Sequence, residues 1–274
     1  MFESEFKYPA HNVFELNGLL FSSKFDNGNL LKVEPGSTPN EYLMWVASDN
    51  YGTDYSRSDG TNAWFHFSVA RVSKGTTLHF QILNVTSHSS LYKQDMRPVF
   101  KSISNSNFNW QRIRQPVKFL KETERCSSLS FDHYFDAEDD TVYFAFTYPY
   151  TYTTVQNELE KLDEKQRDVT KAGNLYYQRE ILTKTPENRN IDLITVSNVD
   201  IVNDTSEPAL SGLFPEFPSK LRPPLFKSKE VIFISSRVHP GEVPAQHTFK
   251  VSLPTLKFNI IILFVWLFDY DNQF

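Results

Sequence analysis

Val231-Ile-Phe-Ile-Ser-Ser-Arg-Val-His-Pro-Gly-Glu242 is the stretch on which the reading of the whole chain turns. Residues 231–235 are a β-branched and aromatic run that reads as a buried strand, ending at Arg237 and bounded by Pro240-Gly241. The turn then sets an imidazole, His239, and a carboxylate, Glu242, three residues apart at the strand's C-terminal end. Pro240 has a fixed φ and Gly241 reaches conformations closed to other residues, so the pair can hold the two side chains convergent. That arrangement suits two ligands of one Zn²⁺, because a catalytic zinc commonly takes two His and one Glu and keeps a water in the fourth position. His-x-x-Glu alone is a weak motif and an ordinary structural turn is the competing reading. The strand before it and the Pro-Gly inside it favour the metal.

The chain has 274 residues, long enough for one large domain or two medium ones, and its 40% hydrophobic and 15% aromatic content supports a packed core. A net charge of −5 with no Lys/Arg run supplies no basic field for nucleic acid. The single cysteine, Cys126, excludes an internal disulfide framework and reads as a thiol in a reducing compartment. The first residues, MFESEFKYPAHNVF, are acidic and lack an apolar core, so no signal peptide is expected. The glycosylation sequons at Asn84 and Asn203 then read as chance matches, and the expected location is the cytosol.

Residues 19–25, 42–47, 63–69, 78–83, 129–135 and 142–146 read as strands, with turns between them at 49–52 and 57–60. Alternation is clean at Trp64, His66 and Ser68 on one face and Phe65, Phe67 and Val69 on the other. Short strands at this spacing predict an antiparallel sandwich. His66, His79, His88 and His133 are scattered through it and read as packed or surface residues. Tyr148-Pro149-Tyr150 breaks the pattern and links to a helix with Thr153 as N-cap, Gln156 completing a capping box, and Val155, Leu159 and Leu162 on one face. Strands are expected again at 176–182 and 191–199, with a long loop over 202–229. The division expected is a sandwich over 1–150, the start of an α/β domain over 151–250, and a tail over 251–274.

Arg237-Val-His-Pro-Gly-Glu242 after a strand resembles the first zinc-binding motif of the cytosolic carboxypeptidases, a branch of the M14 metallocarboxypeptidases. Further stretches carry the same resemblance, in order, over roughly residues 18 to 250. They are Gly18-Leu-Leu-Phe-Ser-Ser-Lys-Phe-Asp-Asn-Gly-Asn-Leu30, Trp64-Phe-His-Phe-Ser-Val69, Trp110-Gln-Arg-Ile-Arg114, Phe144-Ala-Phe-Thr-Tyr-Pro-Tyr150 and Tyr176-Tyr-Gln-Arg-Glu-Ile-Leu182. The resemblance implies an N-terminal β-sandwich domain followed by the beginning of an α/β, mixed-sheet zinc carboxypeptidase domain. It implies Zn²⁺ as cofactor, with His239 and Glu242 as its first two ligands. It also implies removal of C-terminal or branch-point glutamates from tubulin and other glutamate-rich tails, at microtubules in the cytosol. Nucleic acid and membrane are not expected as partners.

The resemblance further implies a third ligand (His), an Asn-Arg pair for the substrate carboxylate, an Arg polarising the scissile carbonyl and a Glu as general base. Only 32 residues follow Glu242, and His247 is the one histidine among them; it falls where the family starts a helix and is not expected as a ligand. No Arg follows Arg237 and no Glu follows Glu242, so this chain by itself is expected to be inactive or nearly so, binding zinc weakly. The tail VSLPTLKFNIIILFVWLFDYDNQF lacks the resemblance. Val251-Ser252 is what a splice-donor sequence encodes in this frame, so a translated intron is one expectation. The other treats residues 260–268 as a C-terminal strand or a short interfacial anchor, nine apolar residues against the roughly 20 that span a bilayer. A catalytically inactive product acting through its sandwich as a binding module is the alternative function; a related zinc deacylase is a third, disfavoured by the long β-rich N-terminal region.

Overall fold

A computed structural model describes residues 12–49, 51, 61–86, 89–104, 109–123, 126–171, 175–185, 188–198, 201–226, 229–237, 239, 241–252 and 261–266. The turn expected at 57–60, half of that at 49–52, His88, Pro240 and most of the tail lie outside the described residues. The chain divides into two units, Met1–Pro149 and Tyr150–Phe274.

The first unit runs β1 (Val13–Leu16), β2 (Leu19–Ser22), β3 (Lys32–Pro35), β4 (Glu41–Trp45), β5 (His66–Ala70), β6 (Thr77–Val85), α1 (Ser89–Lys93), β7 (Val99–Ser102), β8 (Gln111–Arg112), β9 (Lys118–Lys121), β10 (Ser127–Tyr134) and β11 (Thr141–Ala145). These strands make a six-stranded sheet, β1-β2-β5-β11-β7-β8, and a five-stranded sheet, β3-β4-β6-β10-β9. The expected sandwich is therefore present, with one departure from a wholly antiparallel plan: β4 lies parallel to β6.

Alternation along the central strands supplies the core. Phe67 of β5 and Phe144 of β11 come from one sheet and stack at 5.4 Å. Phe80 of β6 and Phe131 of β10 come from the other, and Phe80 meets Phe144 at 5.0 Å and Phe67 at 5.7 Å. All four rings are at most 2% exposed. Such offset and edge contacts add to the area that each ring buries. The opposite face of β5 is covered as well: His66 sits among Phe25, Trp64, Trp110 and Tyr143, and its Nδ1 donates to the Asn27 carbonyl at 3.2 Å.

Side-chain amides replace missing ladder bonds at two places. Asn29 donates to the carbonyls of Ala47 and Trp64 and accepts from the Ala47 amide. Asn84 accepts from the Val46 amide at 2.9 Å and donates to its carbonyl at 2.7 Å, so the amide of this sequon is committed to the fold.

The second unit holds α2 (Tyr152–Lys171), β12 (Tyr176–Lys184), β13 (Asn190–Ser197), β14 (Ile201–Ser206), β15 (Pro224–Phe226), β16 (Val231–Ser236), α3 (Val243–Ser252) and β17 (Ile261–Trp266). Its main sheet is mixed, in the order β12-β13-β17-β16, with β16 and β17 parallel across the α3 crossover and the other pairs antiparallel. The helix starts two residues earlier than expected. Thr151, not Thr153, is the N-cap: its Oγ1 accepts from the Thr154 amide at 3.1 Å and its carbonyl from the Val155 amide. Gln156 completes no capping box, because its amide group is engaged by Asp192 and Arg179. Val155 and Leu159 are buried as their spacing requires.

Two further expectations are corrected. Residues 202–229 are not one long loop, since β14 and β15 pair within them and Phe214 packs with Ile191 and Leu193. Here Arg222 covers the Phe214 ring at 3.5 Å and reaches Glu180, which lets a Pro-rich segment pack without apolar periodicity. Secondly, β16 is not buried. It is the last strand of its sheet, paired on one side only by β17, and Val231, Ile232 and Phe233 are 54%, 41% and 61% exposed. An unbroken apolar run signals a strand covered on both faces, but which faces are covered depends on neighbours that the run does not encode. Part of the tail joins the fold, in keeping with the strand reading of residues 260–268: α3 continues through Val251-Ser252, and β17 lies in the middle of the sheet. Among the described residues no helix is long and apolar enough to cross a membrane.

Replacing Phe144 by Ala should cost the sandwich about 3–5 kcal/mol, read from denaturant unfolding. A second expectation concerns pH. Burial holds the His66 imidazole down to about 3 and that of His133 to about 4, against 6.5 for the free side chain. Between those limits the unfolded chain binds more protons than the folded one, so stability is complete above pH 6.5 and falls as the pH drops. The denaturant midpoint should therefore fall between neutral pH and about pH 4.5, and His133→Phe should flatten that dependence.

Candidate metal-binding turn

Strand β16 ends because Arg237 takes a left-handed backbone, φ 61°. For a residue with a Cβ this costs on the order of 1–2 kcal/mol, so surrounding contacts must hold it. Arg237 supplies one itself. Its side chain is among the largest that are fully buried, and its guanidinium donates through Nη1 to the carbonyl of Tyr150. The strand end is thereby tied to the residue that precedes α2.

After Arg237 the chain closes on itself. The Glu242 amide donates to the His239 carbonyl at 3.0 Å, and Glu242 Oε2 accepts from the His239 amide at 3.3 Å. The Ala245 amide then donates to the Glu242 carbonyl at 3.1 Å and opens α3. Pro244 lies in the first turn of the helix, where its missing N–H costs nothing. Glu242 thus sits directly before the first turn of α3. Both expected ligands are exposed, one at each end of a closed turn. Their chemistry, an imidazole and a carboxylate, fits part of a zinc set.

Among the described residues no three His, Cys, Asp or Glu side chains are gathered to hold a metal. His247 is turned elsewhere: its ring meets Tyr150 edge-on at 5.1 Å, and burial lowers its pKa, with Lys250 adding to the effect. Tyr150, Glu158 and Lys250 escaped the sequence reading. The Tyr150 hydroxyl donates to Glu158 on α2, and Lys250 on α3 donates to the other oxygen of that carboxylate. Burial, then the bond to Glu158, raises the Tyr150 pKa, so the phenol stays a donor. A helix periodicity marks Glu158 and Lys250 only as polar-face residues, and no local signal pairs them.

A second charged group braces the same unit. Arg179 on β12 reaches Asp192 at 2.8 Å and Asp163 at 3.0 Å, while Tyr177 donates to Asp163 at 2.6 Å. These bonds dock α2 on β12 and β13.

Comparison with known proteins gives the same frame. Residues 21–147 match the family model of the cytosolic carboxypeptidase N-terminal domain. Cytosolic carboxypeptidase-like protein 5 of Rattus norvegicus is 34% identical over 262 residues, covering 85% of this chain and 31% of that protein. Cytosolic carboxypeptidase 6 of Mus musculus is 32% identical over 230 residues, covering 83% of this chain and 36% of that one. The chain thus spans about a third of the length of these relatives. A metallo-carboxypeptidase from Burkholderia cenocepacia shares the fold, with a TM-score of 0.55 at 18% identity over 91% of this chain and 55% of that structure.

Proposed function

The chain belongs to the cytosolic carboxypeptidase family, and from that premise we propose that His239 and Glu242 are the first two ligands of a catalytic zinc. The reaction proposed is hydrolytic removal of C-terminal or branch-point glutamates from tubulin and other glutamate-rich tails, at microtubules in the cytosol. The observation that supports the metal assignment is the closed turn between β16 and α3, in which the Glu242 amide bonds the His239 carbonyl and both residues are exposed. Zinc, when bound, supplies a Lewis acid that polarises a carbonyl and acidifies a water. The chain's own residues hold the two ligands: Arg237 fixes the strand end, and the Glu242 carboxylate accepts from the His239 amide.

The parts that would grip a terminal carboxylate, polarise the scissile carbonyl and take a water's proton have no counterpart after Glu242. For this polypeptide by itself the proposal is therefore weak zinc binding with little or no hydrolysis. A second reading, a binding module acting through the sandwich, is favoured by one contrast. The first unit has a closed aromatic core, whereas the described residues of the second gather no complete ligand set.

Zinc titration of the 274-residue chain by calorimetry tests the assignment. Weak binding that disappears in His239→Ala and Glu242→Ala but persists in His247→Ala is the expected result. Equal loss in the His247 variant would move the third ligand onto α3. The same preparations, offered a polyglutamate-tailed peptide, should release no glutamate; stoichiometric zinc with efficient release would overturn the proposal of an inactive chain.

A further inference from the structure

We propose that Tyr150, Glu158 and Lys250 are positioning residues that set the direction in which His239 and Glu242 leave the sheet. The proposal rests on the reading of that turn as a metal site, but its geometry stands independently. Tyr150 is held at two points. Its carbonyl accepts from Arg237 at the end of β16, and its hydroxyl donates to Glu158 on α2. Glu158 is shared, because Lys250 on α3 donates to its second oxygen and lies 5.8 Å over the Tyr150 ring.

These contacts close a circuit around the turn. Arg237 lies just before it, and Lys250 lies on the helix that starts directly after it. Both are fastened to the same Tyr150–Glu158 pair, so the separation and the rotation of the turn's two ends are fixed together. His247 adds a wall by packing edge-on against the Tyr150 ring. Each of the three acts on the turn through Arg237 or through the helix. A metal needs its ligands held within a few tenths of an ångström, and partners that orient ligands commonly change affinity by about 10–100-fold.

The circuit also separates positioning from stability. Lys250 is half exposed, and a partly exposed ion pair contributes little to folding. Removing it should leave the unit folded and loosen the aim of the turn. The test uses the full 274-residue chain and its Tyr150→Phe, Glu158→Gln and Lys250→Met variants, with Lys250→Arg as rescue and Lys161→Met on α2 as control. Zinc alone is the probe. The first three should bind zinc about tenfold more weakly at an unchanged melting temperature, and Lys250→Arg should recover most of the loss. Affinity equal to that of the unsubstituted chain, or lost only in step with melting, overturns the proposal.

A second readout needs no metal. Hydrogen exchange at the Glu242 and Ala245 amides, which close the turn, should speed up in the same variants while β12 and β13 amides stay as they were. Unchanged exchange overturns the positioning role. If the unsubstituted chain binds no zinc, the reading of the turn as a metal site fails, and the exchange measurement decides the positioning by itself.

Discussion

Arg237 carries a charge that it cannot shed, and at 2% exposure it has almost no water to share it with. A buried guanidinium without acceptors destabilises a fold by several kcal/mol, about 3–5 when a buried pair is broken. The chain therefore has to bring main-chain oxygen to it, and the Tyr150 carbonyl comes from 87 residues earlier. That requirement joins the start of α2 to the end of β16 and holds a left-handed residue where the strand has to stop. The His239–Glu242 turn follows directly, so its placement is set by the electrostatics of a residue that lies just before it.

The two units solve the packing problem by different means. In the sandwich, four phenylalanines on central strands meet across the two sheets, and polar side chains such as Asn29 and Asn84 repair the gaps in the ladder. In the second unit the fastening is more ionic. Arg179, Asp163 and Asp192 dock α2, and Arg222 with Glu180 secures the Pro-rich segment over Phe214. Van der Waals packing is non-directional and tolerant, whereas paired charges fix geometry at the expense of desolvation.

How much of this was legible in the sequence follows the range of the interaction involved. The alternation through residues 64–69 depends on residues two apart, and it set Phe65, Phe67 and Val69 on one face, where all three are buried, but it gave no sign that the opposite face is buried as well. The turn at His239 and Glu242 is local too, and the Glu242 amide closes it on the His239 carbonyl. The N-cap was missed by two residues because Thr151, Thr153 and Thr154 offer the same hydroxyl, and only the backbone path selects among them. The exposure of β16 was missed because it depends on which strands flank it. The Tyr150–Glu158–Lys250 contacts were invisible because they join three separate elements, and sequence spacing carries no trace of them.

The order β12-β13-β17-β16 has a kinetic meaning. β12 and β13 are a local hairpin, able to close over a short connection. β16 has no partner until β17 is available, and β17 must also find β13, where Ile194 faces Phe264, 70 residues later in the chain. Loop closure over such a separation is slower than hairpin formation, and parallel pairing has to wait for the intervening helix. The strand that completes the sheet is thus the last of the four to leave the ribosome. The His239–Glu242 turn belongs to the segment that assembles latest, after the hairpin has become a template for it.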